Sequence, residues 1–302
     1  MSVETFKKLI QEKGNYDIIK ILREGPIKTQ TIVKYLERIS KIKEKDTLKQ
    51  LKELENHNII TSFQLKDNSR YYLLIKDFFI IRVPPKELLK HIQKNKELSK
   101  SLKEKYLSGI KRYFSQYLSS SKKLKSDVEL NLIELIINPS INELIDFLNK
   151  KPIKLKSVRK KFPYFDDISD LLKKNDIIEI FSEGGISWAL LNSQFTFDVF
   201  FPEYLIKNIT ERLRDKKIEK SLALKSLYNL KNAYLRLEKP EDFEELTQRI
   251  NNKLEIIKTE EKKGDLNVEK VKELIKLYKA IGDYDNTKLW KAKVLDWLNR
   301  RQ

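Results

Sequence analysis

The stretch from Lys43 to Ile75 constrains the chain most. Its first half runs Lys43-Glu44-Lys45-Asp46-Thr47-Leu48-Lys49-Gln50-Leu51-Lys52-Glu53-Leu54-Glu55-Asn56-His57-Asn58. Leu48, Leu51 and Leu54 recur at helical spacing and predict a helix with those three inward. Thr47 with Gln50 three residues later has the form of a capping box. Asn58 stands where the helix must stop, and Asn tolerates the left-handed backbone of a helix stop. Two strand-type runs, Thr61–Leu65 and Tyr71–Ile75, flank the polar tip Lys66-Asp67-Asn68-Ser69-Arg70 and predict a hairpin. A helix feeding directly into a charged hairpin admits few small folds.

The preceding residues narrow the choice. A helix over residues 4–25, broken near Gly14 and ended by Gly25-Pro26, carries Leu9, Ile10, Ile18, Ile19, Ile21 and Leu22. A second, Thr29–Ser40, turns Ile32, Val33 and Leu36 inward. Residues 15–76 together resemble the winged-helix superfamily, whose recognition helix is followed by a wing. The resemblance implies contact with duplex DNA. The candidate contact residues are Lys45, Thr47, Lys49, Gln50 and Lys52 on the helix and Lys66 and Arg70 at the wing. Lysines meet phosphates, and Gln50 is the side chain suited to pair with adenine. Asp46 and Glu53 argue against a purely electrostatic grip. The plain alternative is a solvated helix of mixed charge.

Beyond the wing, Lys76–Val83 reads as extended and is closed by Pro84-Pro85. A long helix is expected from Lys86 to about Leu118, with Leu88, Ile92, Leu98, Leu102, Tyr106, Ile110, Tyr113 and Tyr117 as its stripe and a gap near Asn95. Twelve Lys or Arg stand against three Glu between Lys86 and Ser126. The rod either packs on its own module, serves as a dimer helix, or lies along phosphates through residues such as Lys111 and Arg112. Ser119–Ser126 reads as a linker. A helix over Val128–Ile137 and another opened by the Ser140/Glu143 pair lead into a second copy of the pattern over residues 128–192. Its helix, Asp167–Asn175 with Ile168, Leu171 and Leu172 inward, precedes a hairpin turned by Gly184-Gly185. This copy also resembles a winged helix. Asp166, Asp167, Asp170 and Glu183 stand where a nucleic-acid contact would need bases, so it reads as a structural or protein-contact copy, with DNA contact through Arg159, Lys160 and Lys161 as the alternative.

From Pro202 onward everything reads as helix. Leu230–Tyr234 followed by Pro240-Glu241-Asp242-Phe243, and Leu274–Tyr278 followed by Gly282-Asp283-Tyr284, resemble tetratricopeptide hairpins. Tyr234 and Tyr278 lie 44 residues apart, longer than the usual ~34-residue repeat. A plain helical bundle is the competing reading.

Charge and composition set the limits on function. The net charge of +18 is uneven: residues 1–126 hold 29 Lys/Arg against 14 Asp/Glu, and residues 127–302 hold 33 against 30. A lysine-rich surface of thermophile type would raise basic residues throughout, whereas a confined excess suggests a module that faces a polyanion. The absence of cysteine excludes disulfides, thiolate metal sites and thiol nucleophiles, and it suits a cytoplasmic protein. No segment reads as a signal peptide or an apolar membrane span. Phosphate-binding and dinucleotide glycine patterns are absent, and His57 and His91 lack partners at ligand spacing. No catalytic, cofactor-binding or metal residues are therefore expected.

The sequence predicts a mainly α chain with α+β winged-helix modules. The expected divisions are a winged helix at 1–85, a basic helix and linker at 86–126, a second winged-helix-like domain at 127–200 and a helical, repeat-like domain at 201–302. The expected function is duplex-DNA binding by a transcriptional regulator, with a protein partner or self-association through the 86–118 helix and the 201–302 helices, and no membrane insertion. The alternative is a protein-interaction scaffold that uses tandem winged helices as the membrane-remodelling ESCRT-II assembly does. RNA binding comes third, since the stacked aromatics of common single-strand modules are missing.

Overall fold

A computed structural model describes residues 3–120, 133, 135–261 and 267–299. The chain is mainly helical, with small sheets. The linker expected over Ser119–Ser126, past Ser120, and most of the helix expected over Val128–Ile137 lie outside the described residues.

Two stretches share one order of elements. The first runs α2 (Asn15–Leu22), β1 (Ile27–Lys28), α3 (Thr29–Ile39), α4 (Glu44–Asn56), β2 (Ile60–Gln64), β3 (Arg70–Leu74), β4 (Asp77–Val83) and α5 (Lys86–Lys94). The second runs α7 (Pro139–Lys150), β5 (Ile153–Lys154), α8 (Leu155–Lys161), α9 (Phe165–Lys174), β6 (Ile178–Glu183), β7 (Ile186–Leu191), β8 (Gln194–Phe200) and α10 (Glu203–Arg214). Each holds a three-stranded antiparallel sheet with the last hairpin strand central, β1-β3-β2 and β5-β7-β6. The helix stops match as well. Asn58 and Asp176 adopt φ of 54° and 52°, and the next residue's N–H bonds back to Leu54 O or Leu172 O. Ile59 O then accepts from Ile75 and Lys76, as Ile177 O does from Asn192 and Ser193. The likeness continues past the hairpins. Pro85 precedes α5, which buries Leu88 and Ile92, and Pro202 precedes α10, which buries Leu205 and Ile209. Gln194–Phe200 carries alternating Phe195, Phe197 and Val199 and forms a strand that the sequence reading leaves unassigned.

Contacts gather the chain into two compact units that do not follow chain order. One holds Glu12–Asp77 and the chain from Phe200 onward; the other holds the chain up to Gln11 and Phe78–Val199. The helix after each hairpin therefore belongs to the unit of the other copy. In the first-module unit, Arg212 and Asn208 of α10 donate to Glu24 O at 2.7 and 3.4 Å. Arg23 makes three hydrogen bonds of 2.8–3.1 Å to the buried Asp77, which also accepts from Tyr204 OH at 2.7 Å. In the second-module unit, Asn149 of α7 donates to Glu87 of α5 at 3.5 Å.

The rest of the second-module unit is α1 (Val3–Gln11), α6 (Lys100–Ser120) and the paired strands β4 and β8. Phe78 packs between Phe6 and Phe197, with ring centroids at 5.4 and 5.8 Å. The single helix expected over 86–118 is broken. Asn95 turns extended and accepts from the N–H groups of Glu97 and Leu98, and Ser99 Oγ caps the new helix at Leu102 N. Leu98, Leu102, Tyr106, Ile110 and Phe114 are buried, so α6 packs within its unit. Tyr106 OH donates to Leu191 O, and Arg82 donates to Tyr113 OH and Asn175 O at 2.9 and 2.7 Å. Glu183, at the second hairpin tip, accepts from Ser99 Oγ at the start of α6.

The C-terminal helices α11 (Lys220–Glu238), α12 (Pro240–Glu261), α13 (Val268–Ile281) and α14 (Tyr284–Asn299) belong to the first-module unit. Consecutive helices pack together, and α12, α13 and α14 close about Ile250, Ile257, Val271, Leu274, Tyr278 and Trp290. Gly282 ends α13 with φ +77°, and a Cβ there would meet Tyr228 O and Asn232 N of α11 at 2.5 and 2.6 Å.

Several local expectations need correction. Leu48 is 41% exposed, and Thr47 takes the inward place with Leu51 and Leu54. The buried stripe is 47, 51, 54, one residue earlier at its start, which turns Leu48 aside by ~100°. The helix begins at Glu44 after Lys43, so Thr47 is interior and forms no cap. In the second copy Leu171 is 47% exposed, and Phe165, Ser169 and Leu172 point inward. Asn138 rather than Ser140 caps α7, through Ser140 N, and Glu143 pairs with Lys161.

Candidate nucleic-acid interface

The site is built on α4. Thr47, Leu51 and Leu54 are fully buried and fix its rotation. Positions 45, 49, 52 and 56 then form the outward ridge, at spacings of four, three and four. Lys45, Lys49, Lys52 and Asn56 are all exposed. Among the described residues no carboxylate pairs with any of the three lysines. Their charges face solvent together, flanked by Asp46 and Glu53 on one side and Glu44 on the other. Leu48 stands beside this ridge as an exposed apolar side chain.

The sequence candidates separate into distinct places. Thr47 lies in the core and offers nothing to a ligand. Gln50 donates through Nε2 to Lys13 O, and its Oε1 is buried, so it anchors the turn before α2 and is not free to read a base. Gly14 sits against it with φ +91°. Arg70 is held along the sheet by Glu55 at 3.1 Å and Ser62 at 2.8 Å, with its guanidinium 5.3 Å from the Tyr72 ring centroid. Glu55 offsets its charge, so Arg70 braces the hairpin and does not extend from its tip. Lys66 is exposed at the tip. Lys111 and Arg112 lie on α6 in the other unit, where Arg112 shares a cleft of about 240 Å³ with Asp176 and Glu179. Those carboxylates disfavour a polyanion there.

The hairpin tip is ordered from within. Asp67 accepts from Ser69 Oγ at 2.6 Å and Ser69 N at 3.0 Å, and Asn68 takes φ 60°. Hydrogen bonds from the Ser69 side chain and backbone hold the Asp67 carboxyl below the ordinary carboxylate range. Lys66, Asp67 and Tyr71 border a cleft of about 550 Å³ whose far wall includes Glu219, Lys225 and Asp285. Lys225 pairs there with Asp285 at 2.9 Å.

Asn56 is not among the sequence candidates, although with 48, 51 and 54 inward it still falls on the outward half of the helix. Among the described residues no three His, Cys, Asp or Glu side chains gather as a metal site. Among them, too, no helix is long and apolar enough to cross a membrane. No family model, curated protein or solved structure matches the chain.

Proposed function

We propose that this protein is a non-enzymatic duplex-DNA-binding protein of the transcription-regulator type. In this reading each copy is a winged helix, α4 of the first enters the major groove, and the C-terminal hairpins are repeat-like and make protein contacts. The observation that carries the reading is the ridge of Lys45, Lys49 and Lys52, exposed, without carboxylate partners among the described residues and fixed in rotation by a buried Thr47-Leu51-Leu54 stripe. Three lysines along one exposed helix face suit successive phosphates beside a groove. Asn56 ends the ridge as an amide able to pair with adenine, the role Gln50 cannot take.

The second copy is read as structural. Exposed Asp166, Asp167 and Asp170 line α9, and its hairpin tip is spent on Ser99. Fluorescence anisotropy of the full chain with random duplex, single-stranded DNA and duplex RNA tests the proposal. Duplex DNA is expected to bind most tightly at moderate salt. Absence of duplex binding would remove the regulator reading in favour of a scaffold, and preference for RNA would reassign the ridge.

A further inference from the structure

The groove between α12 and α13 has a specific character. On α12 it is lined by Leu246, Arg249, Lys253 and Ile256, on one face at helical spacing, and on α13 by Lys276 and Leu277. Its volume is about 650 Å³. Ile256 is 44% exposed within it, although its neighbour Ile257 is fully in the core. An apolar floor thus lies open between basic side chains. Lys253 is engaged by Glu273 at 2.5 Å, and Arg249 lies 3.7 Å from Glu245. Lys276 is exposed. With Glu245 beside Arg249 counted, the groove holds three cations against two carboxylates, and Lys276 is the cation without an ion pair among the described residues.

We propose that this groove docks an acidic amphipathic helix of a partner protein. The α12 face from Leu246 to Ile256 spans ten residues, about 15 Å, which suits three turns of a bound helix. Its apolar stripe would cover Leu246, Ile256 and Leu277, and acidic flanks would meet Arg249 and Lys276. The apolar floor disfavours a phosphate backbone, which has no apolar face to offer. The proposal rests on the reading of the C-terminal helices as the protein-contact part of the chain, and it is independent of duplex binding by α4.

The test uses the full chain and fluorescein-labelled, helix-stabilised peptides of about 14 residues with leucine at i, i+4, i+7 and i+11. One peptide carries glutamate on both flanks, a second carries lysine there, and a third scrambles the acidic composition. The acidic striped peptide is expected to bind at least tenfold more tightly than either control. Arg249→Glu with Lys276→Glu, and separately Ile256→Asp, are expected to weaken it at least tenfold. Equal binding of the scrambled peptide, or no effect of the paired variant, would overturn the proposal. Should the lysine-flanked peptide bind as well as the acidic one and be lost with Ile256→Asp, the acidic partner falls while the protein-contact reading stands. Should neither striped peptide bind, both fall for this groove. Displacement of the acidic peptide by duplex DNA, with duplex binding lost in the paired variant, would make the groove a nucleic-acid surface and refute the docking proposal.

Discussion

Replacing Asp77 with Ala tests the account of the first-module unit. Asp77 receives three hydrogen bonds from Arg23 and one from Tyr204, linking the end of α2, the start of β4 and α10. Burial works against the Arg23 charge, but its bonds and attraction to Asp77 outweigh that and raise its pKa. Burial, reinforced by Asp77, pushes Tyr204 up. Removing one partner of a buried pair typically costs about 3–5 kcal/mol, since the other charge is stranded. The Arg23 side chain keeps 19% exposure, so water recovers part of the loss and about 3 kcal/mol is expected. In a body of this size that lowers Tm by roughly 6–12 °C. Urea unfolding followed by circular dichroism gives the free energy, and a Trp188→Phe background leaves Trp290 and Trp297 to report tryptophan fluorescence from this unit. Tyr204→Phe removes one bond and should cost about 1–2 kcal/mol. Arg23→Met with Asp77→Leu should recover part of the Asp77→Ala loss, because no charge is left stranded. A change under about 1 kcal/mol for Asp77→Ala would refute the reasoning.

Further predictions concern the turns and the ridge. Gly282→Ala should destabilise by about 2–4 kcal/mol, from the left-handed backbone and from crowding against α11, measured by the same unfolding curves. Ser69→Ala should raise the Asp67 pKa toward the ordinary carboxylate value, read by NMR titration. Because the folded value is depressed, the contribution of this turn to stability is present above the ordinary carboxylate pKa and lost as pH falls through the depressed one. A titration unchanged by Ser69→Ala would contradict that cause. In a selection among randomised duplexes, Asn56→Ala should relax preference at one base position by about 1–3 kcal/mol. Gln50→Ala should leave the preference intact and lower thermal stability, and the reverse pattern would restore Gln50 as the reader.

Much of this was legible in the sequence. Helix spacing located α2, α3 and α13, strand-type runs and turn residues located both hairpins, and Asn58 and Gly184-Gly185 take the left-handed conformations that their residue types favour. Rotations about helix axes were harder to read. A Leu at 48 and a Thr at 47 satisfy the same periodicity, and only packing against the rest of the unit buries the Thr and exposes the Leu. Side-chain destinations were invisible for a similar reason. Gln50 and Arg70 look free until Lys13 O, far back in sequence, and Glu55, on α4 ahead of the hairpin, are found beside them. The break at Asn95 showed as a gap in the stripe, but its cause is an Asn side chain that caps the amides of Glu97 and Leu98. The exchange of α5 and α10 between units has no local signature at all, since the two helices begin with similar Pro-led, Leu/Ile-spaced segments.

The central claim is that the α4 ridge grips phosphates, and the salt dependence of duplex binding tests it most directly. Affinity of the full chain for a random duplex is measured across salt, for the wild type and for Lys45→Ala, Lys49→Ala and Lys52→Ala combined. Without these three lysines to neutralise phosphates, the slope of log K against log salt should shrink by about 3, and affinity should fall most at low salt. An unchanged slope would place the grip elsewhere on the chain and contradict the account.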